Sequence, residues 1–389
     1  MRTVAQFRRI FPALEQVVHL GSCSLAPRST AVQTALQDML DLHDHGLAWE
    51  EFEAEADLAR ARFAALIGAR ADQIALLPNA STAAYQVASG MIWWQRPRLL
   101  TSAAEFPGVG HVWLAQQPRG AEVIPVGDAH RPPAAEDYLR RLDDAVGLVS
   151  VPAVTYRDGV RLPVAQIAAA ARYVGARVFV DAYQAMGVEP VDVRTWDCDW
   201  LVAGASKHLL GLPGVAFLYA KDAADLPRMP RLTGWLAQRH QLAPQLDPRP
   251  DARRLETGTP AVPALFAANA GMGLISDLDL AVVRQHVSGL LDYAIGQLAA
   301  LGETVRTPTD PQRRGAHLAL LDPEPQALAK RLARDGIVVA PRQDAVRLSV
   351  HYFTDTSDVD AACEAIRRYR AVDRHPNRTA LPASTRNEV

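Results

Sequence analysis

Short β-rich runs alternate with amphipathic helical stretches through the first two-thirds of this chain, and that alternation limits the fold more than any other feature. Strands are expected at 73–77, 98–102, 122–126, 147–151, 177–181, 200–203 and 214–220, and helices at 50–67, 82–91, 108–115 and 163–174. Such a pattern builds an α/β fold in which a mixed, mostly parallel sheet is covered by helices on both faces. Ligands in these sheets bind at the C-terminal ends of the strands. Residues 227–260 break the pattern with many prolines and few periodic apolar positions. A connection of that length in a folded domain is usually functional or disordered, and Thr233-Gly234-Trp235 favours function here.

Two long helical patterns follow at 261–275 and 280–301. A small α/β unit closes the chain, with strands at 317–321, 337–339 and 345–350 and helices at 325–335 and 357–369. The expected division is an N-terminal segment (1–20), a large domain (21–260), a helical connection with a small C-terminal domain (261–370), and a disordered polar tail (371–389). A formal charge of −2 with no basic tract argues against nucleic acid or an anionic membrane surface as partner. No apolar run is long enough to span a bilayer, and the N-terminus lacks the apolar core of a signal peptide. Cys23, Cys198 and Cys363 lie far apart without metal-ligand spacing. They read as reduced thiols of a cytoplasmic protein, and no metal site is expected.

Only three lysines occur: Lys207, Lys221 and Lys330. Lys207 sits in a glycine-flanked break, Gly204-Ala205-Ser206-Lys207-His208-Leu209-Leu210-Gly211, between two apolar runs. Upstream, a buried strand ends in Asp181, and Gln184 follows one short turn later. A strand-end Asp, then Gln, then Lys 26 positions beyond Asp181 is the arrangement needed to hold pyridoxal phosphate. The lysine would form a Schiff base with the aldehyde, and the carboxylate would keep the pyridinium nitrogen protonated so that the ring serves as an electron sink.

Other residues suit the same ligand, each with a plainer alternative. Pro78-Asn79-Ala80-Ser81-Thr82 follows a strand, and Ser81 or Thr82 would open the next helix. That helix end binds an anion such as the cofactor phosphate, or is simply a Ser/Thr cap. Ser206 offers a second hydroxyl. Phe106, in Glu105-Phe106-Pro107 after a strand, is either a stacking partner for the ring or an ordinary core residue. Thr259, in Thr257-Gly258-Thr259-Pro260, offers a further phosphate contact, conceivably across a dimer interface. Arg347 interrupts the apolar strand Ala345-Val346-Arg347-Leu348-Ser349-Val350. It grips a substrate carboxylate or forms an internal salt bridge. Thr155, Tyr156, Tyr183, Trp235 and His351 are candidates to line the substrate site.

Together these residues resemble the class V aminotransferase family of fold-type I pyridoxal-phosphate enzymes, from about Phe11 to Tyr369. The most specific stretch runs from Val180-Asp181-Ala182-Tyr183-Gln184 through Pro190-Val191-Asp192-Val193, Asp199-Trp200-Leu201 and Ser206-Lys207 to Gly211-Leu212-Pro213-Gly214-Val215-Ala216-Phe217-Leu218-Tyr219. The resemblance implies a large domain with a seven-stranded sheet and a homodimer with active sites at the interface. It assigns the ring nitrogen to Asp181, the ring hydroxyl to Gln184, the internal aldimine to Lys207 and the substrate carboxylate to Arg347.

Cysteine desulfurases of the family carry a catalytic cysteine shortly before the arginine strand. Here that segment, Ile337-Val338-Val339-Ala340-Pro341-Arg342-Gln343-Asp344, has none, and Phe106 and Ser206 stand where those enzymes usually have His. No cysteine is therefore expected to take part in chemistry. Val154-Thr155-Tyr156-Arg157-Asp158-Gly159, Glu105-Phe106-Pro107, Gly234-Trp235 and Gly258-Thr259-Pro260 look more like kynureninase, although kynureninases usually have Tyr at the Ser206 position. The expectation is an enzyme that acts on an α-amino acid through an external aldimine and quinonoid, leaning to lyase chemistry. Transamination and epimerisation are the alternatives within the fold, and a non-catalytic binding or regulatory protein is the alternative outside it.

Overall fold

Parallel strands buried on both faces read as continuous apolar runs, and the central strands of this protein do. The computed structural model describes residues 2–44, 46, 48–128, 131, 133–242 and 244–373. The chain begins with α1 (Val4–Arg8), β1 (Val18–His19), α2 (Thr30–Asp44) and α3 (Ala48–Ile67). The alternating region then gives β2 (Ile74–Leu77), α4 (Ala80–Gly90), β3 (Arg98–Ser102), α5 (Pro107–Leu114), β4 (Glu122–Val126), α6 (Ala135–Leu139) and β5 (Val146–Pro152). It continues with α7 (Val164–Tyr173), β6 (Arg177–Asp181), α8 (Val193–Trp196), β7 (Trp200–Gly204) and β8 (Ala216–Ala220). The last third holds α9 (Val262–Ser276), α10 (Leu280–Ala300), β9 (His317–Leu321), α11 (Pro325–Arg334), β10 (Ile337–Val338), β11 (Ala340–Arg342), β12 (Ala345–Ser349) and α12 (Thr356–Asp373).

The seven-stranded sheet has the order β2-β8-β7-β6-β5-β3-β4. All neighbours run parallel except β8, which is antiparallel to both β2 and β7. The two-residue period of a strand sends alternate side chains to two separate cores. Ala75, Leu77, Phe179, Val202 and Leu218 meet α4 and α5 on one face. Ile74, Leu76, Val180, Leu201 and Phe217 face the other core, with Phe63 of α3 stacked on Phe217 at 4.4 Å between centroids. Sequence periodicity places most of these elements within a residue or two. It misses α2, which packs on α9 with only Val32 and Met39 buried. It also misses β11, which follows β10 directly but belongs to a different sheet.

The N-terminal segment is tied to the C-terminal unit. Its strand β1 pairs in parallel with β10, and Ser349 donates its N–H to the Leu20 carbonyl at 2.8 Å. Phe11 packs against Phe353 at 5.0 Å, and Arg8 forms a two-point contact with Asp358 at 2.6 and 2.9 Å. In the C-terminal unit β12 lies between β11 and β9 in an antiparallel sheet, while α12 packs on α10 and α11. Among the described residues no single helix is long and apolar enough to cross a membrane. The final helix reaches Asp373, three residues into the stretch expected to be tail, and the rest of that stretch lies outside the described residues.

Among the described residues the proline-rich connection between β8 and α9 contains only short 3-10 turns and a single-residue bridge, as its composition suggests. It is anchored by Glu256, which is 1% exposed. The carboxylate accepts hydrogen bonds from Arg60 Nε and Nη2 at 2.8–3.1 Å and from the Leu76 N–H at 2.9 Å. Burial pushes the Glu256 carboxyl up, and Arg60 holds it back. Removing one partner of a buried ion pair strands the other in a medium that solvates it poorly. Arg60→Ala should therefore cost about 3–5 kcal/mol in urea unfolding, and adding Glu256→Gln should recover part of that loss. An unchanged unfolding midpoint for Arg60→Ala would show that the pair does not anchor the connection.

Candidate active site

The C-terminal ends of β3, β5, β6 and β7 open onto one cavity of about 180 Å³. Its walls include Asn79, Ala80 and Ser81 from the start of α4, Glu105 and Phe106 after β3, Pro152 and Tyr156 after β5, Asp181, Tyr183 and Gln184 after β6, and Lys207 after β7. Parallel register is what collects them, because adjacent parallel strands end on the same edge of the sheet. Asp181 pairs with Val202 across β6 and β7, only a few residues ahead of Lys207.

The loop that carries Lys207 is held at four successive carbonyls. Ala205 O accepts from Gly211 N, Ser206 O from Ala26 N, Lys207 O from Leu210 N, and His208 O from His351 Nε2, all at 2.8–3.0 Å. Leu210 adopts a left-handed φ of 63°, a cost the surrounding bonds sustain. Two glycines make room for the loop. A Cβ on Gly187, whose φ is +85°, would lie 2.2 Å from His208 O, and one on Gly204 would lie 1.7 Å from the Tyr183 hydroxyl. His351 donates to this loop and accepts the Tyr352 N–H at its other ring nitrogen, which fixes a neutral tautomer. Burial takes its pKa down to about 4. His351 thus supports the Lys207 loop from behind, between Phe353 and His208 rings, and is absent from the cavity wall.

Burial dominates the charges in the cavity. Lys207 is pushed down to about 8 by desolvation; Asp181 pulls it up, and Arg347 adds to the depression. The Lys207 Nζ lies 4.7 Å from the Tyr183 ring centroid and 5.5 Å from that of Phe106. Asp181 is raised above the usual carboxylate range by burial, against the opposing effects of the Tyr183 N–H and Lys207. Its Oδ1 accepts from Tyr183 N at 2.9 Å. Glu105 is raised by burial and by the neighbouring charge of Asp181. It accepts from Phe106 N at 2.9 Å and from Ser150 Oγ at 3.0 Å. Glu105 was legible only as an acid directly after a strand end, beside Phe106.

The helix expected to open at Ser81 or Thr82 starts earlier. Asn79 is its cap, with Oδ1 accepting the Thr82 N–H at 2.9 Å. Asn79 also accepts from Ala83 N through its carbonyl, which leaves the N–H groups of Ala80 and Ser81 for another acceptor. The Ser81 hydroxyl donates to Gly108 O at 2.6 Å and borders the cavity; the Thr82 hydroxyl is spent on Asn79. Gln184 donates from Nε2 to Cys23 O at 2.9 Å, while its buried Oε1 has no partner. Phe106 is 39% exposed although it lines a cavity, with its ring edge-on to Tyr156 at 5.3 Å. Cys23 comes within electrostatic reach of Lys207 and Arg342, a proximity that its place near the N-terminus did not announce.

Arg347 is 1% exposed, and no carboxylate meets it among the described residues, so the internal salt bridge is not formed. Its Nη1 donates to Tyr156 O at 2.6 Å, which ties the small sheet to the cavity wall. Four candidates lie elsewhere. The fully buried Thr155 hydroxyl bonds Asp158 Oδ1 at 2.5 Å and accepts Val160 N, so it shapes a turn and does not line the cavity. Trp235 and Thr259 border a second cavity of about 190 Å³, where Trp235 stacks on Trp49 at 6.0 Å. Ser206 is half-buried and absent from both walls; its carbonyl, and not its hydroxyl, has the evident role.

These features fit pyridoxal phosphate: an anion-accepting helix start, a buried carboxylate, an amide oxygen without a partner, an exposed aromatic face and an amine of lowered basicity converge on one space. The aminotransferase class-V family model matches residues 42–361. An uncharacterized aminotransferase, YcbU of Bacillus subtilis, is 34% identical over 363 residues, covering 93% of this chain and 96% of that protein. A kynureninase of Deinococcus radiodurans is 29% identical over 304 residues, covering 75% and 72% of the two chains. The structure of a cysteine desulfurase from Thermococcus onnurineus superposes with a TM-score of 0.86 at 20% identity, over 95% of this chain and 98% of that one. The chain belongs to the class-V aminotransferase family and is a pyridoxal-phosphate-dependent enzyme of fold type I.

Proposed function

We propose that the enzyme acts on an α-amino acid and cleaves a bond at or beyond its β-carbon, with Lys207 as both cofactor anchor and proton carrier. The observation that carries this reading is the single cavity bounded by Lys207 and Asp181, with Arg347 close enough for its charge to act on Lys207. When bound, pyridoxal phosphate supplies an electron sink conjugated to the substrate α-carbon. Everything else falls to the protein. The first turn of α4, with Ser81, takes the phosphate dianion. Asp181 would hold the ring nitrogen, Gln184 the ring hydroxyl and Phe106 a ring face.

With a pKa near 8, Lys207 is substantially neutral at mildly alkaline pH and can take a proton from the α-carbon. Tyr183 packs beside its amine and limits where Nζ can travel. Arg347, whose Nη2 makes no hydrogen bond among the described residues, offers its free edge to the substrate carboxylate. Thr259 and Trp235 border a different cavity of this chain, and we assign them to the site of a second subunit in a homodimer. Lyase chemistry is favoured by likeness to kynureninase at 29% identity. Amino-group transfer is the second reading, favoured by the YcbU relative. Free, buried cysteines suit a cytoplasmic location.

Borohydride reduction of the yellow holoenzyme should fix the pyridoxyl group on Lys207, as peptide mapping would show. Recovery of the label on Lys221 or Lys330 would sink the assignment.

Arg347→Ala should keep the bound-cofactor spectrum and melting temperature but lower kcat/KM for amino acids by about tenfold to more than a hundredfold, the worth of a charge-assisted two-point contact. Arg347→Lys should recover little, because an ammonium lacks the planar fork. A folded Arg347→Ala enzyme with wild-type kcat/KM would refute carboxylate binding. Separate assays for pyruvate, ammonia, alanine and α-keto acids across an amino-acid panel decide between the two reactions: amino-group transfer requires a keto-acid acceptor for sustained turnover, whereas cleavage does not.

A further inference from the structure

Two arginines of the small sheet stand near the cavity without an acid to meet them. Arg347 on β12 is buried and bonded only to the carbonyls of Tyr156 and Ala340. Arg342, at the end of β11, is half-buried. It donates from Nη1 to the neighbouring Pro341 carbonyl at 2.7 Å and from Nη2 to Ser24 Oγ at 3.3 Å. Neither forms an ion pair among the described residues. Arginines buried about as deeply as Arg347 do: Arg60 meets Glu256 and Arg314 meets Asp292.

The charges of the two arginines also act on each other and on the site. Arg342 is lowered by burial and by Arg347, and both cations add to the depression of Lys207. Tyr156 feels both guanidinium groups, and its ring lines the cavity. A desolvated guanidinium without a counterion is costly unless an anion arrives to complete it. The α-carboxylate of an amino acid completes one such group and leaves the other unmatched. The cavity's own acids, Asp181 and Glu105, lie at the strand ends and make no contact with either arginine.

We infer that Arg342 is a specificity-determining residue that binds an anionic head, carboxylate or sulfinate, on the substrate side chain, while Arg347 binds the α-carboxylate. The substrate class is then α-amino acids with an acidic side chain. The inference rests on the roles given above to Lys207 and Arg347. Arg342 suits the task because its long bond to the exposed Ser24 hydroxyl is easily exchanged for a carboxylate. The Ser24 hydroxyl remains beside the guanidinium as a donor to the same anion.

The test uses two ligands that lack an α-hydrogen, 2-methylaspartate and its neutral isostere 2-methylasparagine, titrated into the holoenzyme by calorimetry. The wild-type enzyme should bind 2-methylaspartate about tenfold more tightly or better, the scale of one charge-assisted contact. Arg342→Gln should remove that preference and leave 2-methylasparagine binding within about twofold. Arg342→Lys should restore part of it, and Arg347→Gln should weaken both ligands. Equal affinities in the wild type, or an intact preference in Arg342→Gln, would overturn the inference while borohydride still labels Lys207. A holoenzyme in which Lys207 is not labelled would instead overturn the reading beneath it, and this inference with it.

Discussion

Opposite charges buried at the ends of two adjacent parallel strands organise this protein. Asp181 closes β6 and Lys207 follows β7, so the pairing of those strands fixes where acid and amine can meet. Desolvation alone would neutralise both, raising the acid and lowering the amine. Each opposes that tendency in the other: the amine is held near pKa 8, and the acid is raised less than burial alone would raise it. Glu105 adds a second acid to the same space and is itself raised, partly by Asp181. Like charges this close cannot both ionise freely.

The small C-terminal unit and the first residues of the chain make that arrangement rigid. His351 holds the Lys207 loop from one side and Ala26 holds it from another. Cys23 O orients Gln184, and Tyr156 O orients Arg347. The stretch from Leu20 to Ala26 therefore bridges the two parts, touching Ser349 of the small sheet and Ser206 in the loop after β7. Positioning of this kind keeps reactive groups in place before substrate arrives, which is where much of a catalyst's advantage is generated.

The parts of this design that were legible in the sequence are those with local signatures. The sheet strands are continuous apolar runs because parallel strands are buried on both faces, and Asp181, Gln184 and Lys207 follow from strand ends. Residues whose role depends on three-dimensional neighbours were not legible. Thr155 has the right chemistry for a site, but its hydroxyl is consumed by a turn three residues long. Ser81 and Thr82 look like helix caps until Asn79 takes that place. Trp235 and Thr259 sit on a connection whose path sequence periodicity cannot trace. Arg342 stands out in the sequence only because the segment around it lacks a cysteine; its lack of an acidic partner is visible only in the fold.

Burial lowers the basicity of Lys207, and Asp181 limits that effect. With only three lysines, isotope-edited NMR of lysine-labelled enzyme freed of cofactor can follow the Lys207 ε-amine directly. A buried amine loses its proton more readily, and an adjacent carboxylate favours the charged form. The account therefore predicts a midpoint near pH 8 in the wild type and a lower midpoint in Asp181→Asn. Titration of Lys207 near 10.5, the ordinary lysine value, with no response to Asp181→Asn, would contradict it.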